Sequence, residues 1–109
     1  MPTLMIIYVA GGLLLAAFSI PLILGKIPPN GLYGFRVKKT LENPNIWIPA
    51  NRYAGKWLLA TGLLTAITAI GMYFIPGLSV DAYALGFLAV FGVAFATSIV
   101  MSIRYIKSL

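Results

Sequence analysis

The sequence has no cysteine and no histidine. Without cysteine there is no disulfide framework, thiolate metal site or thiol nucleophile. Without histidine the commonest general base and metal ligand are missing. Carboxylates are almost as scarce: Glu42 and Asp81 stand alone against eight lysines and arginines, for a net charge of +6. Ser-His-Asp and Cys-His catalysis is therefore excluded, and no cofactor or metal is expected. Charge itself is scarce, at 9% of residues beside a hydrophobic fraction of 61%, where a soluble domain carries about 25% charged residues. A soluble fold this poor in charge could not cover its surface, so the bilayer is the natural solvent. The basic residues flank apolar runs. They read as topology determinants and as contacts to anionic lipid, and nucleic acid is not an expected partner.

What the chain does have is three long apolar runs. A membrane-spanning helix needs about 20 of them in succession, and residues 4–24, 57–75 and 82–103 each meet that need without an ionisable group other than tyrosine. The expected fold is an all-α, three-helix membrane protein forming a single membrane domain over residues 1–109. The first run lacks a basic leader, and Pro21 to Leu24 follow where a small-residue cleavage site would stand, so it reads as a permanent anchor. Lys26, Arg36, Lys38, Lys39, Arg52 and Lys56 lie between the first two runs, and Arg104 and Lys107 follow the third. The 76–81 turn carries only Asp81. By the positive-inside rule the connection and the C-terminus face the cytoplasm, and the N-terminus and the turn lie outside.

Lipid provides no hydrophobic drive between helices, so small residues are expected where helices pack. Ala82, Gly86, Ala89, Gly92 and Ala96 form one helical stripe on the third span, expected to face the bundle or a second copy in a homo-oligomer. Thr61, Thr65 and Thr68 fall at helical spacing on the second. Gly11, Gly12, Ala16 and Ala17 lie on the first, and Pro21 is expected to bend its last turn.

The connection, residues 25–56, holds the polar chemistry. Pro28-Pro29 ends the first span, Asn30-Gly31 signals a turn, and Gly34 suits a place where the backbone turns or approaches a neighbour closely. Asn43-Pro44 looks like an N-cap followed by proline at the first helical position. Pro49 is expected to interrupt that turn, with the helix of the second span starting at about residue 49. Asn51 then faces whatever Gly55, one turn on, lets approach. Trp47, Trp57, Tyr33 and Tyr53 read as an interfacial aromatic belt, with Trp47 alternatively a lid over a pocket. Tyr8, Tyr73 and Tyr83 lie near the outer boundary with no special role.

Ile27-Pro28-Pro29-Asn30, Tyr33-Gly34-Phe35-Arg36, Thr40, Trp47, Asn51-Arg52 and Gly55 together resemble the signature of the SdpI family of membrane proteins. The resemblance implies a bacterial or archaeal multi-pass membrane protein. It also implies an immunity and signalling role, protecting a cell from a secreted peptide toxin and holding a cytoplasmic regulatory protein at the membrane.

Arg36 is the leading candidate for a specific contact, because its planar five-donor fork suits carboxylate or phosphate. Asn30, Tyr33, Thr40, Glu42, Trp47, Asn51 and Arg52 complete the candidate ligand-binding set, with Glu42 alternatively pairing with a nearby cation. Two other functions stay open. One is a small membrane enzyme acting on a lipid-linked or peptide substrate, with Glu42 as its base. The other is a homo-oligomeric transporter or channel along the threonine face.

Overall fold

A computed structural model of the chain describes residues 2–28, 34 and 38–109; the predicted site residues Asn30, Tyr33 and Arg36 lie outside them. The described residues form four helices: α1 (Pro2–Ile23), α2 (Lys38–Glu42), α3 (Pro44–Tyr73) and α4 (Val80–Ser108). Three of these, α1, α3 and α4, are long and apolar enough to cross a membrane. Large apolar side chains such as Ile6, Leu14, Ile67, Leu85 and Val93 are exposed on all three, as lipid as solvent requires.

The helices end where local chemistry stops them. α1 closes in a Schellman motif: the Lys26 amide donates to the Pro21 carbonyl at 3.0 Å and the Gly25 amide to Leu22 at 3.1 Å. Gly25 takes φ +71°, the left-handed conformation that glycine adopts without penalty. Asn43 precedes Pro44, and its carbonyl accepts from the amides of Ile46 and Trp47. Ser79 caps α4 by accepting from the Ala82 amide at 3.1 Å, with Asp81 in the first turn, where the helix dipole favours an acid.

Two boundaries differ from expectation. Pro49 does not interrupt the second span: α3 runs unbroken through it from Pro44. One missing donor near a helix start is tolerated when the turns on both sides are held, and Trp47 and Asn51 are both buried there. The connection also contains α2, which packs against α3; five residues are too few to show a helical period in sequence.

α3 lies between the other two long helices, and both run antiparallel to it. As numbers rise along α1 they fall along α3. Gly12 meets Gly62, while Ser19 and Ile23 meet Gly55. A Cβ on Gly62 would come within 2.5 Å of the Gly12 carbonyl and 2.8 Å of the Ala16 amide nitrogen, so α1 and α3 touch backbone to backbone. α4 is held by polar links and rings. Thr61 and Ser98 share a hydrogen bond at 2.9 Å, the Tyr83 hydroxyl donates to the Ala69 carbonyl at 2.6 Å, and Tyr53 stacks on Tyr105 at 4.2 Å.

These contacts revise two expectations. Most of the small-residue stripe of the third span faces away from α3: Ala82, Ala89, Gly92 and Ala96 are exposed, so the bundle is not the neighbour of these four, while Gly86 meets Met72 of α3; α4 buries Tyr83, Ser98, Ser102 and Ile106. Close approach is made by α1 and α3, whose small residues face each other in register. Tyr83 is 0% exposed and stacks on Tyr8, so it is a core residue of the bundle. Thr61 and Thr65 are buried and hydrogen-bonded within the bundle.

Candidate functional site

The antiparallel arrangement brings the end of α1, the start of α3 and the end of α4 together. Lys26, Lys38, Lys39, Arg52, Lys56, Arg104 and Lys107 all belong to segments at that end, and Asp81 belongs to the other. α3 and α4, at 30 and 29 residues, are each about 45 Å long at 1.5 Å per residue. A hydrocarbon core is about 30 Å thick. Both helices therefore outrun it, and the cations occupy the surplus.

At this end a buried cluster joins the connection to α3. Trp47 is 0% exposed, and its indole Nε1 donates to the Ile27 carbonyl at 2.7 Å, tying the chain that leaves α1 to the first turns of α3. One turn on, Asn51 is 2% exposed and donates through Nδ2 to the Trp47 carbonyl at 3.1 Å. That bond aims Oδ1 at Gly34: a Cβ added there would lie 2.8 Å from Oδ1 and 3.1 Å from the Trp47 ring. Gly34 has φ +109°, so both its backbone and its surroundings demand glycine. Thr40, in α2, is fully buried and its polar group is engaged. Among the described residues no buried side-chain nitrogen or oxygen lacks a partner.

The predicted site residues therefore separate. Thr40, Trp47 and Asn51 are buried, with Trp47 and Asn51 donating to backbone carbonyls. Trp47 is not a belt residue; a tryptophan near an interface suits lipid or core equally, and here a backbone carbonyl captures its N–H. Glu42 is exposed at the end of α2. Gly55 admits α1, not the neighbour of Asn51. Arg52, next to Asn51 in sequence, points away from the cluster: it is exposed, and its guanidinium lies over Gly25 at the end of α1.

Two cavities flank the cluster. One, of about 150 Å³, lies between α3 and α4 and is lined by Gly34, Ala54, Leu58, Phe95, Ser98, Ile99 and Ser102. It is mostly apolar and reaches the connection at Gly34. The other, of about 310 Å³, is lined by Ile48, Pro49, Arg52, Tyr53, Lys56 and Tyr105. Neither had a sequence signal, because each needs α4 folded back against α3. The glycine that ends α1 did have one: it follows directly on the last apolar turn. Among the described residues no three of His, Cys, Asp or Glu converge.

Residues 26–102 match the family model of the SdpI/YfhL protein family. A curated relative, the uncharacterized protein YfhL of Bacillus subtilis (strain 168), is 31% identical over 61 residues, covering 53% of this chain and 53% of that one. The matched region thus spans about half the length of that relative. No solved structure matches.

Proposed function

Because this chain belongs to the SdpI/YfhL protein family, we propose that it is a membrane-embedded immunity and signalling protein whose basic end faces the cytoplasm. Its ligand is a peptide or another anionic ligand or partner at that interface, with Asn30, Tyr33 and Arg36 among the residues that recognise it. The observation that carries this reading is the buried Gly34–Trp47–Asn51 cluster. Three residues of the family-like pattern are used up in packing, and they hold one point of the connection against α3 with satisfied hydrogen bonds. Gly34 stands two residues before Arg36 in that segment. Arg36 is the residue of that segment best suited to a carboxylate or phosphate.

The test is survival of a toxin-sensitive bacterial host, lacking its own immunity protein, when exposed to its secreted peptide toxin. The wild-type chain is expected to protect. Arg36→Ala is expected to reach the membrane at the same level and to lose protection. A wild-type chain that gives no protection, or an Arg36→Ala variant that protects equally well, sinks the reading.

A further inference from the structure

Arg52 was grouped with the motif residues by sequence, but the structure separates it from them. Successive residues on a helix point about 100° apart, so Asn51 enters the buried cluster while Arg52 turns to the second cavity. There it meets Lys56, one helical turn on and on the same face, and both are exposed. No acidic residue lines this cavity. Two like charges one turn apart repel each other, and an anion seated between them removes that repulsion.

The cavity is also built to stay in place. A Cβ on Gly25 would lie 2.5 Å from Arg52 Nη2 and 3.3 Å from Ile48. The guanidinium is therefore laid across the last turn of α1, whose carbonyl end attracts a cation, and part of its ordering is met before any ligand arrives. Tyr53 and Tyr105 stack at 4.2 Å with ring planes 9° apart, joining α3 to α4 as a wall and adding phenol chemistry that can donate or accept. Ile48 and Pro49 supply an apolar side. Lys56 directly precedes Trp57, where the uncharged run of α3 begins, so the cavity sits at the edge of the apolar part of the helix.

We propose that the Arg52–Lys56–Tyr53–Tyr105 cavity is an anion site separate from the motif cluster, taking a phosphate group, with a membrane-lipid headgroup favoured by the apolar wall and by its position. It does not depend on an immunity role. The experiment titrates the purified full chain in neutral detergent with dihexanoyl phosphatidylglycerol and, separately, with inorganic phosphate, following binding by calorimetry. Saturable binding is expected. Arg52→Gln/Lys56→Gln is expected to weaken it roughly thirtyfold, at about 1 kcal/mol per basic residue. Arg104→Gln/Lys107→Gln removes the same charge from the same end but outside the cavity, and is expected to change it less than about twofold. If the Arg52 variant loses helical content, Lys56→Gln alone is read, with about a fivefold loss expected. Binding of the lipid alone identifies a headgroup site, and equal binding of inorganic phosphate identifies a soluble phosphate ligand; either supports an anion site. No saturable binding, or equal loss in the two double variants, overturns it in favour of diffuse surface charge.

Discussion

Gly34 carries a conformational and a steric demand at once, and the two add in a single substitution. Alanine there must adopt φ +109° and place its Cβ against Asn51 Oδ1 and the Trp47 ring. Gly34→Ala is expected to cost about 1–3 kcal/mol, measured as a lower Tm of the purified protein in detergent. Trp47→Phe keeps an aromatic ring but removes part of the indole's volume and the donor to Ile27, leaving a carbonyl without that partner. Its expected cost is about 1–2 kcal/mol. A Tm unchanged by Trp47→Phe would mean that the indole bond does not hold the connection.

Helix pairs in this protein use two different adhesives, and each has its own test. Between α1 and α3 the adhesive is close backbone approach, so Gly62→Leu is expected to separate the helices and lower stability by about 3 kcal/mol or more. Gly92→Leu on α4 is expected to be nearly neutral, because nothing lies within 4 Å of a Cβ there. Equal losses from both would mean that the stripe on α4 is packed after all. Between α3 and α4 the adhesive is hydrogen bonds together with stacked rings. A double-mutant cycle of Thr61→Val and Ser98→Ala is expected to return a coupling of about 0.6 kcal/mol, the usual value for interhelical hydrogen bonds in membranes. A coupling near zero would assign α4's attachment to the Tyr83 and Tyr53 contacts instead.

The described part of the molecule is polarised: its cations gather at one end of an antiparallel bundle and Asp81 lies at the other. Because the chain has no cysteine, single introduced cysteines report orientation without background. Lys107→Cys and Lys38→Cys are expected to react with a membrane-impermeant maleimide only after the cell is opened, and Ser79→Cys in intact cells. The reverse pattern would put the basic end outside and remove the cytoplasmic site proposed for Arg36. At this scale most of the architecture was legible beforehand, since hydropathy adds up along the chain and charge placement needs no knowledge of contacts. Gly34 was legible too, as a glycine where a backbone must turn or approach closely. Trp47 was not, because an aromatic residue next to an apolar run is equally at home in headgroups and in a core. Which residues of the stripe from Ala82 to Ala96 meet α3 was not, because small residues look the same in sequence whether they face a neighbouring helix or lipid.

Sequence alone, then, decided the solvent, the number of long helices and the crowding of positive charge into the connection and the tail, all of which depend on which residues follow one another. Folding in three dimensions decided that Gly12 meets Gly62, that Asn51 turns inward while Arg52 turns outward, and that Tyr105 closes a cavity begun by residues some fifty positions earlier. Those outcomes depend on the rotation and register of helices against one another, and register is set by which small residues let two backbones come closest.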